Sequence, residues 1–366
     1  MKKLGIDARL YRQTGVGVYV RNLLYYLGSN LPSDVQVYIY LTERDFDTAS
    51  FKEKNFIKRK ANFQWHTFSE QTGFLKTILA DNLDLMHFTY FSYPILYRRS
   101  FISTVHDLTP YLFKTGRSST KNILLYKLKH FFFTRILKSQ IKNAKAIITP
   151  TQAVKNQILK HFSNKYEKKI HAIYEGLNEE LLQIKENTDL KKSFSEDFMV
   201  YIGNFYPHKN VERLIKAFTR INKDIQLVLA GPDDFFARRI QRLIIEFGQT
   251  KRIIFYKNPT LSDLVFFYKH AKALINPSLS EGFGLPMIEA LYYNCPILGS
   301  DIEVFQEVLN KNYRSFDPYN DASMSYAISS FLEKPTNNSN KELLKKYSFE
   351  KMTKETTDLY KVHLNL

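Results

Sequence analysis

The sequence predicts an α/β protein built from two parallel-sheet domains. Its 366 residues exceed the usual size of a single domain. Short apolar runs alternate with helix-periodic stretches in both halves, as βα units require. Glycine-bearing or charged loops follow several of the apolar runs. That is the carboxyl end of a predicted strand, where open α/β sheets collect ligands. Apolar residues make up 44% of the chain, enough to fill two cores.

In the first half, residues 4–7 read as a buried strand. Thr14-Gly15-Val16-Gly17 follows, and then an apolar-periodic helix over 18–27. Val20 stands where a dinucleotide fingerprint needs its third glycine, and no P-loop Lys-Ser/Thr follows. Gly15 and Gly17 are therefore open to two readings, a tight turn or a close approach to a ligand. Strands are expected over 35–41, 83–87 and 101–105. The last runs into His106-Asp107, so His106 either caps a loop or faces a ligand. A loop over 109–119 precedes a long helix over 121–143. A strand over 146–149 leads to a helix over 152–161 capped by Thr151, and a strand follows over 170–174.

The polar stretch 179–197 is expected to link the domains, bounding a first domain of residues 1–178. Alternation then restarts, with strands over 198–202, 225–230, 252–256, 273–276 and 296–299. Between them come helices over 211–220, 233–248 and 261–269. Ser300 or Asp301 is expected to cap the next helix, which ends at Leu309. Helices over 321–332 and 347–363 close the chain. The second domain spans 198–345, and 346–366 is a C-terminal helical segment.

Charge and cysteine content narrow the function. The net charge is +17, and residues 114–170 hold 14 Lys/Arg against the single acid Glu167. Such an excess calls for an anionic partner: membrane surface, nucleic acid or acidic polymer. The helix over 121–143 mixes Lys121, Lys127, Lys129, Arg135 and Lys138 with more Phe and Leu than one core stripe needs. It reads as an interfacial helix or as a core helix with a solvated basic face. One cysteine, Cys295, excludes an internal disulfide. The N-terminal residues lack the apolar region of a signal peptide, and no run is long enough to span a membrane, so a cytoplasmic location is expected.

The richest stretch is 276–291, NPSLSEGFGLPMIEAL. A strand ends, a loop carries Glu281, and Gly284 opens a helix containing Glu289. A helix N-terminus suits a phosphate, and two flanking carboxylates suit hydroxyls. Lys209 lies after one strand and before one helix, as a phosphate-binding lysine would. No His/Cys cluster occurs, so no metal is expected.

Five blocks, GVGVYVRNLL, TVHDL, YIGNFYPHKNVERLIKAF, INPSLSEGFGLPMIEAL and SDIEVFQEVL, stand in the order seen in family 4 glycosyltransferases. The chain resembles that family over nearly its whole length, and most resembles bacterial mannosyl- and rhamnosyltransferases of surface polysaccharide. The resemblance implies the GT-B fold: two Rossmann-like domains facing across a cleft, with the final helix returning to the first. It implies that Lys209 holds the donor diphosphate and Glu281 the transferred sugar. Backbone at Phe283, Gly284 and Leu285 would meet phosphates, and Glu289 the ribose. His106 would line the sugar site, with Gly15 and Gly17 near phosphates and acceptor. Asn204 stands where many relatives carry a phosphate-clamping Arg, and His208 replaces another common Arg. One amide is a weaker anion partner than a guanidinium.

By the same resemblance the reaction is retaining and metal-independent, without cofactor. The donor would be a nucleotide-diphosphate sugar, GDP-mannose or a UDP-sugar. The acceptor would be lipid-linked, at an anionic membrane surface on the inner face of the cytoplasmic membrane. The alternatives are a GT-B nucleotide-sugar epimerase, a phosphorylase, and a nucleic-acid binder. A pyridoxal lysine site, which the phosphorylase needs, is missing. The basic window is mostly lysine with aromatics at helical spacing, which disfavours nucleic acid.

Overall fold

The computed structural model describes residues 1–113, 123–194, 196–336 and 341–366. The chain divides into two compact units. The first is built from Met1–Tyr111, 123–176 and Tyr347–Leu366, the second from Leu112, Phe113 and Leu177–Lys346.

The first unit is a seven-stranded parallel sheet. Its strands are β1 Lys3–Asp7, β2 Gln36–Leu41, β3 Phe56–Lys60, β4 Leu85–Phe88, β5 Phe101–Thr104, β6 Ala146–Thr149 and β7 Ile170–Ala172, in the spatial order β3-β2-β1-β4-β5-β6-β7. The residues of β4, β5 and β6 are all buried, which is why these strands read as unbroken apolar runs. Strand β3 (FIKRK) went unread because it is an edge strand. Lys58, Arg59 and Lys60 hide its period and also blunt an exposed edge. The helices are α1 Val16–Asn30, α2 Glu43–Thr48, α3 Leu75–Ala80, α4 Thr109–Leu112, α5 Ile123–Asn143 and α6 Gln152–Phe162. Thr151 caps α6, its hydroxyl accepting from Val154 N. The C-terminal helix Phe349–Leu364 packs on α1 and β4 of this unit. Its buried Tyr360 hydroxyl lies 2.5 Å from His87 Nδ1.

The second unit carries a six-stranded parallel sheet: β8 Phe198–Ile202, β9 Gln226–Gly231, β10 Ile253–Lys257, β11 Leu274–Asn276, β12 Ile297–Ser300 and β13 Arg314–Phe316. Their order is β10-β9-β8-β11-β12-β13. Its helices are α7 Glu179–Gln183, α8 Leu190–Ser193, α9 Val211–Thr219, α10 Phe235–Glu246, α11 Leu261–His270, α12 Leu285–Tyr292, α13 Glu303–Leu309, α14 Asp321–Glu333 and α15 Lys341–Leu344. Helix α9 buries Val211, Leu214, Ile215 and Phe218, one amphipathic face.

One local expectation, the cap of α13, is corrected, and two other stretches gain detail. The stretch 179–197 forms α7 and α8 and is tied to the second unit. Asn187 Nδ2 donates to Asp263 Oδ1 at 2.8 Å, and Ser262 Oγ donates to the Lys185 carbonyl at 2.7 Å. Helix α11 is opened by Thr260, which forms a capping box with Asp263. Neither Ser300 nor Asp301 caps α13. Its N-cap is Ile302, Ser300 ends β12, and Asp301 accepts from Gln306 Nε2 at 2.7 Å. Among the described residues, no helix is long and apolar enough to cross a membrane.

Candidate active site

The strand order of each sheet reverses at one point, and a crevice forms there at the carboxyl ends of the strands. In the second unit the reversal lies between β8 and β11. Lys209 follows β8 in a 3-10 turn, Pro207–Lys209, and Glu281 follows β11. Two residues 72 positions apart thus meet for a topological reason, Lys209 Nζ lying 2.7 Å from Glu281 Oε1.

Both side chains are mostly buried, 18% and 11% exposed. Burial alone would raise the Glu281 carboxyl. The Lys209 ammonium and the Ser278 hydroxyl outweigh it and hold Glu281 below the ordinary carboxylate range. Ser278 Oγ is 2.7 Å from both Glu281 Oε1 and Asn276 Oδ1, and its one proton can serve either.

Asn210 fixes these loops to one another. It caps α9 in a left-handed conformation, φ 59°, and its amide donates to the carbonyls of Pro277 (3.1 Å) and Pro318 (2.8 Å). Leu279 N also donates to the His208 carbonyl at 2.7 Å. Asn210→Gly keeps the backbone conformation but drops both amide bonds. It is expected to cost about 2 kcal/mol in urea unfolding. Unchanged stability would show that the clamp carries no weight.

Helix α12 begins at Leu285, with Glu281 in the loop before it and Glu289 within it, as the sequence predicts. Gly284, at φ 88°, is the N-cap, and a Cβ there would lie 2.9 Å from the Phe305 ring. Pro286 has no N–H, and that of Met287 donates to Gly284 O at 2.8 Å. Gly284 and Leu285 remain as donors at this terminus, fewer than a free helix end offers. Phe283 is a buried side chain, 3% exposed.

His208 does not replace an arginine's charge. Burial and neighbouring Lys209 push its pKa down to about 3 against a smaller pull from Glu281, so it is neutral at physiological pH. Among the described residues its buried Nδ1 has no hydrogen-bond partner. Asn204 accepts Tyr206 N at the long distance of 3.5 Å, and its carbonyl accepts from the Tyr201 hydroxyl.

Glu289 is 8% exposed and accepts from the Tyr268 hydroxyl of α11 at 2.7 Å. Burial raises its pKa to about 7, with Tyr268 offsetting only part. It is the carboxyl here that titrates near neutrality.

The first unit has its own reversal point, between β1 and β4. There a small pocket is lined by Asp7, Arg9, Trp65, Thr89, Tyr90 and Ser92. Arg9 is buried and bonds Asp7 Oδ2 at 2.7 Å and Glu70 Oε1 at 2.8 Å, with Phe74 stacked 3.8 Å from its guanidinium. Ser92 Oγ and His66 N donate to Glu70 Oε2 at 2.7 and 2.9 Å. Two carboxylates around one guanidinium keep Arg9 charged despite burial.

His106 follows β5. Its Nε2 donates to the Thr89 carbonyl at 3.0 Å, and its Nδ1 lies 3.1 Å from Glu175 Oε1. Both ring nitrogens are thus engaged inside the unit, and Tyr19 meets the ring edge-on at 4.8 Å. Gly15 caps α1 at φ 70° with open space around it. A Cβ at Gly17 would stand 2.7 Å from the Tyr11 carbonyl, so Gly17 lets α1 pack on its preceding loop. Lys127, Lys129, Arg135 and Lys138 are exposed on α5, whereas Lys121 lies outside the described residues. Among the described residues no group of three or more His, Cys, Asp or Glu could hold a metal ion.

Residues 13–181 match the family described as Glycosyltransferase Family 4, and residues 183–350 that described as Glycosyl transferases group 1. The chain is a family 4 glycosyltransferase. This glycosyltransferase is 27% identical over 271 residues to the O-antigen chain mannosyltransferase RfbU of Salmonella typhimurium, covering 74% of the chain and 71% of RfbU. Its fold superimposes on sucrose-phosphate synthase of Thermosynechococcus elongatus with TM-score 0.78 at 18% identity, over 99% of each chain. It superimposes on Anabaena HepE in complex with UDP and glucose with TM-score 0.73 at 13% identity, over 99% of this chain and 100% of that one. The two parallel-sheet units of this glycosyltransferase are therefore those of the GT-B fold.

Several site residues escape a linear reading. Asn210 reads as an ordinary cap, and nothing in the sequence says that its amide reaches two other loops. Tyr268 reads as one more apolar position of α11. Asp7-Ala8-Arg9 at the carboxyl end of β1 is the one signal for the first unit's pocket, and only Glu70 turns it into a charge cluster.

Proposed function

We propose that this glycosyltransferase transfers a hexose, with mannose the first choice, from a nucleotide-diphosphate sugar. The acceptor is a lipid-linked or polysaccharide glycan of bacterial lipopolysaccharide, O-antigen or capsule assembly, held at the inner face of the cytoplasmic membrane. The Lys209–Glu281 pair at the β8/β11 reversal point carries the reading. It sets an ammonium for a diphosphate beside a carboxylate for sugar hydroxyls.

The ammonium and the carboxylate of the pair neutralise each other. A bound diphosphate competes for Lys209 and frees Glu281 to accept from the sugar, so binding both ends of one donor is linked. Lys209, with the Gly284 and Leu285 N–H groups, stabilises charge developing on the leaving diphosphate. The acceptor hydroxyl attacks the anomeric carbon from the face the diphosphate leaves, which retains configuration, and its proton passes to a phosphate oxygen. No protein nucleophile or metal is required. The identity to a mannosyltransferase supports mannose, and the HepE complex supports a nucleotide-sugar site in this fold.

A thermal-shift screen against GDP-mannose, GDP, UDP-glucose, UDP and other nucleotide sugars tests the proposal. One donor is expected to raise the melting temperature by mass action. That donor should then be consumed with a lipid-linked acceptor. Silence across the panel, or an isomerised nucleotide sugar formed without acceptor, would overturn it, the latter in favour of an epimerase.

A further inference from the structure

We infer that Tyr360 of the C-terminal helix is a positioning residue for His106 and for the first turn of α1, acting through a closed circuit of buried hydrogen bonds. Its part in transfer rests on the glycosyltransferase reading above, with His106 and the Gly15–Gly17 loop belonging to the site.

The circuit joins four elements of the first unit. Tyr360 Oη lies 2.5 Å from His87 Nδ1 in β4, and His87 Nε2 lies 2.8 Å from Thr104 Oγ1 in β5. Thr104 Oγ1 lies 3.1 Å from Tyr19 Oη in α1. The Tyr19 hydroxyl also bonds the side chain of Thr356, one turn before Tyr360 on the same face of the C-terminal helix. None of these five residues is more than 1% exposed.

The protons run around the circuit in one sense. Thr356 Oγ1 donates to Met352 Sδ at 3.6 Å, so it accepts from Tyr19. Tyr19 then accepts from Thr104, and Thr104 from the Nε2–H of His87. His87 Nδ1 is left as the acceptor of the Tyr360 proton. In the opposite sense Tyr360 would accept from His87, and its own buried proton would find no acceptor among the described residues. The neutral ring this requires is secured, because burial and neighbouring His106 push the pKa of His87 down to about 3.

Apolar side chains would fill this slot at less desolvation cost. A fully satisfied polar network instead rigidifies its surroundings in one arrangement. Here the element it fixes is the Tyr19 ring, which stands edge-on to His106 at 84° and 4.8 Å between centroids. Thr89 and Glu175 hold the two nitrogens of His106, and Tyr19 sets the tilt of the ring. Tyr19 N also donates to the Gly15 carbonyl at 3.1 Å, closing the first turn of α1 behind the glycine loop. Tyr360 thus acts on His106 and on that loop through other side chains.

The test compares two shape-preserving breaks, Tyr360→Phe and Thr104→Val, with Thr357→Val. The Thr357 hydroxyl is equally buried but donates to the Thr353 carbonyl of its own helix at 2.7 Å. Each variant loses one buried hydroxyl, so similar losses in melting temperature are expected. Ring-nitrogen NMR of the histidine-labelled full chain, with no donor or acceptor, reads the circuit directly. His87 of the wild type is expected as the Nε2–H tautomer. Both breaks should shift the His106 ring resonances, and Thr357→Val should leave them in place. In turnover, both breaks should lower kcat about tenfold at an unchanged donor KM, since Lys209 and Glu281 lie in the second unit. Thr357→Val should keep kcat and KM. An Nδ1–H His87, an unmoved His106 or an unchanged kcat in both breaks would overturn the inference. So would an equal loss of kcat in Thr357→Val, which would make the circuit a matter of stability alone. If the wild type transfers from no donor, the proposed function fails, and the NMR result decides the role of Tyr360 by itself.

Discussion

Lys209→Ala is expected to abolish transfer and also to destabilise the fold by roughly 3–5 kcal/mol. As a lone phosphate lysine on a loop, Lys209 would be removable without structural cost. The 2.7 Å contact with Glu281 changes that. Removing the ammonium leaves a mostly buried carboxylate with only a shared serine hydroxyl. The charge must then be desolvated without a partner, or the group must take up a proton. Lys209→Ala/Glu281→Gln should recover most of the lost stability, because Gln is neutral, while remaining inactive. Urea unfolding of the wild type, both single variants and the double variant reads the coupling directly. Additive losses would show that the pair is not coupled in the folded state. Near-normal turnover by Lys209→Ala or Glu281→Gln would remove these residues from the site.

Glu289→Gln should stabilise the protein and weaken donor binding. The folded-state pKa of Glu289, about 7, lies above the ordinary carboxyl value of 4.5. The folded state therefore holds a proton that the unfolded state has released, and stability is lost as pH rises from about 4.5 to 7. Above pH 7 the ionised carboxylate costs on the order of 3 kcal/mol, which a neutral Gln avoids while still accepting from Tyr268. The melting temperature of the variant should exceed that of wild type at pH 8, and the two should converge near pH 4. A gain that does not depend on pH would refute the titration of Glu289. If Glu289 accepts from donor ribose, the same change should lower nucleotide affinity about tenfold, since charge-assisted hydrogen bonds contribute most. A buried carboxyl that costs the fold stability, in the helix that follows β11, fits a residue kept for binding.

The legibility of the chain follows the range of the forces involved. Central strands such as β4, β6 and β8 are buried on both faces, so each had to be a continuous apolar run and was readable alone. Edge strands β3 and β13 face solvent and lost that signature. The candidate donor loop over 276–291 was legible because glycine, proline and acid spacing are local properties. Its ligands were legible only partly: Lys209 and Glu281 could be placed at strand ends, but not at 2.7 Å from one another.

What the sequence determined by itself is the class of fold, the order of its elements and the positions where charge meets a strand end. These rest on periodicity and on residue-specific backbone conformations, both of which act over a few positions. Tertiary structure alone decided which of those charges are already spent. It paired Lys209 with Glu281 and stripped His208 of charge by burial. It also engaged both nitrogens of His106 and left three apolar side chains of α5 exposed among cations. Each outcome depends on the desolvation and partners of a group, and those are properties of neighbours brought from tens of residues away.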